Sequence, residues 1–120
     1  MQNTQFTKTV AITNAVTNML NPATLTGGVN APFANTYMLI KHIRVVNKTG
    51  GAVTFSMFKG ATGASAAGTE IVGSSLSVPA NSYVDFYGLI RLDVADFLTA
   101  SASANTSLVA EFDGEIGVTP

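Results

Sequence analysis

Apolar and polar residues alternate with a period of two along most of this chain, the mark of strands with one buried face. In AVTFSMF, Val53, Phe55 and Met57 take one side, and Thr54 and Ser56 take the other. TSLVAEF repeats the pattern, with Leu108, Ala110 and Phe112 opposed to Glu111. SYVDFYGLIRL sets Val84 and Phe86 against Tyr83, Asp85 and Tyr87. YMLIKHIRVVN is rich in β-branched and aromatic residues, and Leu39, Ile43 and Val45 share one parity as its buried set. EIVGSSLSV reads as a strand interrupted at Gly73.

The breaks between these runs predict the connections. NKTGG, residues 47–51, reverses the chain as a glycine-bearing hairpin loop does. PANS, residues 79–82, is a second turn, and KGATGASAAGTE, residues 59–70, is a loop of small residues. In DVADFL, Asp93 predicts a helix cap, with Asp96 three residues on, over a single helical turn. TASASANT predicts another small-residue loop, and EIGV after Asp113-Gly114 a short strand beyond a bulge.

Residues 1–36 differ from the rest. They hold one charged side chain, Lys8, and suggest a strand or two near Val10 to Val16. An irregular arm follows in LNPATLTGGVNAPFANT, where Pro22, Gly27, Gly28 and Pro32 break regular structure. Six or seven strands with almost no helix predict two packed sheets. The expected fold is therefore all-β: a small β-sandwich, jelly-roll or Ig-like, with an irregular N-terminal arm. Its division is residues 1–36 as strand and arm, and 37–120 as the sandwich. Phe55, Phe58, Phe86, Phe97 and Phe112 are the expected core aromatics.

Composition narrows the function. Only 11% of the 120 residues are charged, against about 25% in an ordinary soluble domain. Thr, Ser, Asn and Gly supply the polarity instead, which suits a surface packed among other proteins, because hydroxyls cost less to bury than charges. The net charge of −1 offers no basic patch for nucleic acid. Five of the six Lys and Arg residues come by Lys59, whereas all seven acids lie from Glu70 onward. Two halves of opposite sign meet either as neighbouring strands or across subunits. There is no cysteine, and no run approaches the ~20 apolar residues that span a bilayer. The first twenty residues lack the pattern of a signal peptide, so a chain made in the cytoplasm is expected. The triplets Asn47-Lys48-Thr49 and Asn105-Thr106-Ser107 match a glycosylation acceptor by chance on this reading.

Candidate chemistry is sparse. The 59–70 stretch fails as a phosphate loop, because Lys59 precedes its glycines and no helix follows. His42 is the single histidine, on the parity opposite to the buried set, and no G-x-S-x-G elbow accompanies it. Glu111, Asp113 and Glu115 would line one strand face, either as calcium-type oxygen donors or as solvated charges that discourage edge aggregation. No catalytic, cofactor-binding or metal residue is assigned. Tyr37, Tyr83 and Tyr87 are the contacts that a carbohydrate- or surface-binding module would use.

From Ile43 to Val118, IRVVNKTGGAVTFSMFKGATG, AAGTEIV, VPANSYVDFYGLIRLDVADFL and GEIGV resemble small β proteins of tailed-phage virions. The likeness is to capsid decoration (cement) proteins or related head and neck proteins. It implies a non-enzymatic structural protein located in the virion, bridging and stabilising neighbouring capsid subunits. The implied partners are the major capsid protein or other virion proteins, with a homo-oligomer, a trimer, and no nucleic acid, membrane or cofactor. A tail, neck or fibre adaptor is the alternative within that class.

Overall fold

The structure, a computed structural model, describes residues 4–20, 36–60, 70–93 and 96–118. Among the described residues there are eight strands: β1 (Thr4–Ile12), β2 (Thr17–Leu20), β3 (Thr36–Asn47), β4 (Val53–Gly60), β5 (Glu70–Val78), β6 (Tyr83–Leu92), β7 (Phe97–Ala102) and β8 (Leu108–Val118). One four-stranded sheet has the order β1-β8-β3-β6, and the other β2-β7-β4-β5. We call them sheet A and sheet B. Every pairing is antiparallel.

The order has a simple rule. β4 pairs with β5, β3 with β6, β2 with β7 and β1 with β8, as in one long hairpin whose midpoint is the β4–β5 link. Rolling that hairpin sends alternate pairs to alternate sheets. The closing pairs β3·β8 and β4·β7 then complete each sheet. This is the jelly-roll arrangement of the β-sandwich, and not the Ig-like one.

Between the sheets lies an apolar core that includes Ile12, Met19, Leu20, Met38, Ile40, Ile43, Val45, Phe55, Met57, Leu92, Leu98, Leu108 and Phe112. Alternation along β4 and β8 puts Val53, Phe55 and Met57, and Leu108, Ala110 and Phe112, into it as their sequence pattern predicts. Phe86 packs against the core from its margin, and Phe58 and Phe97 are half-buried. β1 and β2 belong to the two sheets and contribute Ile12, Met19 and Leu20 to the core. Residues 4–20 are therefore part of the sandwich, whereas most of the expected irregular arm, residues 20–36, and most of the 59–70 loop lie outside the described residues.

Several local expectations are corrected. NKTGG does not close a hairpin: β3 lies in sheet A and β4 in sheet B, so the chain arches across the core. Both strands still bury one face, because those faces meet across the sandwich. Asn47 builds the arch. Its buried amide donates to Gly51 O (2.8 Å) and Val78 O (3.1 Å) and accepts from Thr49 N–H (2.9 Å) and Thr49 Oγ1 (2.7 Å). The Asn-x-Thr triplet is thus an Asx turn, with its asparagine 1% exposed, in place of a glycosylation acceptor.

TASASANT contributes its first four residues to β7, where Thr99, Ala100 and Ala102 are buried. Small side chains suit the middle of a sheet under close cover. Asp93 and Asp96 flank the link between β6 and β7, with Asp96 N–H donating to Asp93 O at 2.9 Å. The Asp96 carboxylate accepts from Asp93 N–H (2.9 Å), and the residues between them, over which the single helical turn was expected, lie outside the described residues. β8 passes unbroken through Gly114, and β5 is interrupted as Gly73 suggested, its pairing jumping from Leu76↔Phe55 to Ile71↔Met57.

Candidate interaction face

The outer face of sheet A gathers the three tyrosines, the single histidine and a cluster of charged groups, and a bulge in β3 helps to make it. Ile40 pairs with Gly114 and with Ile90, while His42 pairs with Asp113 and with Tyr87, so Lys41 is an extra residue against β8, whereas against β6 it faces two residues, Gly88 and Leu89. Inward positions are Met38 and Ile40 before the bulge, and Ile43 and Val45 after it. Two consecutive side chains, Lys41 and His42, therefore point outward together. Leu39 accordingly lies on the outer side, half-exposed, and not with Ile43 and Val45 as strict alternation predicts. Gly114 permits the geometry. A Cβ there would stand 2.9 Å from the Leu39 carbonyl carbon and 3.0 Å from Ile40 Cα, and closer still to the Leu39 oxygen.

The two bulge residues serve different partners. Lys41 Nζ pairs with Glu115 on β8. His42 lies between two carboxylates, Nε2 at 2.9 Å from Asp85 Oδ1 on β6 and Nδ1 at 3.3 Å from Asp113 Oδ2 on β8. Two carboxylate acceptors satisfy both ring nitrogens only when both carry protons. Hydrogen bonding to Asp85, then to Asp113, together with their charges, raises the His42 pKa above its ordinary 6.5 despite the opposing effect of desolvation.

Asp85 is also held by Arg44, whose Nε and Nη2 approach its two oxygens at 2.8 and 3.3 Å. This two-point contact, seconded by His42, keeps the Asp85 carboxyl below the usual carboxylate range. At the far side Thr7 Oγ1 on β1 donates to Asp113 Oδ1 (2.8 Å). The chain Arg44–Asp85–His42–Asp113–Thr7 thus ties all four strands of sheet A from one edge to the other.

Aromatic rings border this network. The His42 and Tyr87 rings stack with centroids 4.6 Å apart and planes 13° from parallel. The Arg44 guanidinium lies 4.3 Å from the Tyr83 ring centroid, and that of Arg91 4.4 Å from Tyr37. All three tyrosines singled out in the sequence therefore decorate one face. Beside them, Gln5, Thr7, Lys41, Asp113 and Glu115 line a shallow polar hollow of about 380 Å³ floored by Gly114.

The segregation of bases early and acids late finds its explanation here, since β3 supplies Lys41, His42 and Arg44 to carboxylates on β6 and β8. Glu111, Asp113 and Glu115 do share a face, but β8 is an inner strand and not an edge. Among the described residues, no group of three or more metal-ligating side chains is assembled. His42 has both nitrogens engaged by carboxylates, so accepting a proton from a third group requires release of one of them. Among known proteins, no family model matches the chain, and no curated sequence is similar to it.

Proposed function

We propose that this chain is a non-enzymatic structural protein of a tailed-phage virion, of the capsid-decorating type, and that it docks through the outer face of sheet A. The observation that carries the reading is the internal neutralisation of that face. Glu115, Asp85 and Asp113 each have a cationic partner within the sheet. A partner protein covering the face meets carboxylates that, Glu111 apart, already hold a cation, and so avoids much of the cost of burying ionised groups. Tyrosine and arginine, paired here twice, are the residues that carry most energy in protein contacts. The sequence likeness to virion proteins supplies the setting, and mass action supplies the mechanism: a ligand of the assembled shell alone stabilises that shell.

The test is cosedimentation with purified phage heads lacking their decoration. Wild-type protein is expected to pellet with the shells. Thr9→Arg, which places a long cation on the β1 side of the face, is expected to weaken binding at least tenfold. Ser77→Arg, on β5 of the other sheet, should leave it unchanged. Binding indifferent to Thr9→Arg would remove this face from the contact, and no binding to any shell would remove the function.

One observation favours a second reading, a carbohydrate- or surface-binding module: Tyr37, Tyr83 and Tyr87 lie together beside polar side chains. A glycan array probed with wild type and Tyr87→Ala separates the two. Glycan binding that Tyr87→Ala abolishes supports the module, and a blank array supports the virion role.

A further inference from the structure

A sandwich of two four-stranded sheets has four edge strands, and three of them here carry a protective device. β1 turns Lys8 toward the sandwich rim, where its Nζ reaches Met19 O on β2 (3.4 Å) and bridges those two edges. β2 spans four of the described residues and carries a register shift. β5 is broken by an extra loop of backbone, in which Val72 and Ser75 adopt φ of 68° and 51°. Inward charges, brevity and bulges are the ways in which edges are kept from pairing.

β6 is the least guarded, its one irregularity being the register shift against β3, where Ile90 to Tyr87 lies opposite the shorter Ile40 to His42. It runs ten residues without lysine or proline and without a break in its own alternation. Its backbone is open along one side among the described residues. Asn47 N–H donates to Ser82 O at 2.8 Å, and the pairing runs on through Val45↔Val84 and Ile43↔Phe86. Antiparallel ladders alternate, so Tyr83 and Asp85 direct their N–H and C=O groups away from β3. Large apolar groups accompany that edge, with Tyr83 51%, Tyr87 72% and Leu89 65% exposed. Below it, Val72, Leu76, Val84 and Phe86 line an apolar groove of about 60 Å³ between β5 and β6.

We propose that β6 is a homodimerisation edge, along which two copies of this chain pair antiparallel about a two-fold axis to join their A sheets into one of eight strands. The strand is complementary to its own reverse. In one register Tyr83 of each copy stands opposite Leu89 of the other, and Asp85 opposite Tyr87. No like charges are opposed, and Asp85 arrives already neutralised by Arg44 and His42. On the inner side the same register brings the two Phe86 rings together above the groove, each beside a Gly88 that has no side chain to obstruct it. A single strand pair with few side-chain contacts is a small interface, so the dissociation constant is expected on the order of micromolar. The inference stands apart from the virion reading, because it concerns the purified protein alone.

Sedimentation equilibrium across a thousandfold concentration range tests it. The mass is expected to rise from 12.4 kDa toward twice that value. Leu89→Lys and Tyr87→Lys should each raise the dissociation constant at least tenfold, and Ser77→Lys should not. Amide exchange on the wild type gives a second readout, in which the N–H groups of Tyr83 and Asp85 should slow as concentration rises. A monomer at millimolar concentration overturns the proposal. So does a trimer, a dimer indifferent to both lysine variants, or exchange at Tyr83 and Asp85 independent of concentration.

Discussion

Gly114→Ala should be the most damaging single-methyl addition in this protein. The new Cβ would meet backbone and not a side chain: the Leu39 carbonyl carbon at 2.9 Å and Ile40 Cα at 3.0 Å, with the Leu39 oxygen nearer than either. Ordinary contact begins at 3.4 Å, so β3 and β8 must separate by about half an ångström or more along a ladder with no slack. Overpacking of this kind costs about 1–3 kcal/mol. Weakening two ladder hydrogen bonds beside the bulge adds about 1 kcal/mol each. The total, ~3–5 kcal/mol, is a large share of the roughly 5–15 kcal/mol that holds a domain together. At about 2.1 cal/mol/K per residue, the 120 residues give an unfolding entropy near 250 cal/mol/K, so Tm should fall by roughly 12–20 °C. Urea unfolding followed by tyrosine fluorescence, with a thermal melt, measures both. Gly50→Ala, where a Cβ meets nothing within 4 Å, is the control and should stay within about 0.5 kcal/mol of wild type. If Gly114→Ala behaves like Gly50→Ala, the bulge is not held by this close approach and the account of Lys41 and His42 fails.

Two further outcomes are expected. Because the folded pKa of His42 lies above 6.5, its stabilising contribution is whole below about pH 6.5 and fades as pH rises through the raised value. Asp85 acts in the opposite sense, its contribution whole above its ordinary 3.8 and lost as pH falls through the depressed value. Tm should therefore decline as pH rises above about 6.5, and His42→Gln should flatten that limb; an NMR titration of the single histidine with a midpoint at or below 6.5 would refute the carboxylate clamp. Asn47→Ala should cost about 2–4 kcal/mol, since it leaves Val78 O and Gly51 O without their amide donor inside the arch; a loss under 1 kcal/mol in urea unfolding would show that the arch forms without it.

Strand identity was legible where alternation is regular, as in β4, β6 and β8, because burial of one face writes itself directly into the residue pattern. Partner choice was not. NKTGG carries the composition of a hairpin turn, and an arch between sheets uses the same residues, so the sequence distinguishes them only through long-range pairing. β7 was lost among small residues: Ala100 and Ala102 are buried for lack of room, not for strong hydrophobicity. The bulge did leave a trace. Lys41-His42 sets two polar residues between the inward Ile40 and Ile43, a break in period two that marks an extra outward residue. Reading it that way would have placed Leu39 correctly and joined His42 to the acids of β6 and β8. Tyr83 and Tyr87 were set outward by parity and Tyr37 was singled out only as a possible sugar contact, but their shared face depended on the order of strands in sheet A.

The nested pairing also dictates how the chain can be made. During synthesis the β4–β5 pair is the first that can close, and each later strand reaches back to an earlier one, until β8 inserts between β1 and β3. Until that insertion β1 has no neighbour and β3 is paired on one side only, although both were translated long before. Sheet A is therefore assembled after the ribosome has passed its last strand. The protein should emerge as an open, adhesive intermediate, slow to mature because its contacts span most of the chain. Crowded synthesis at high copy number is the condition under which that delay matters most.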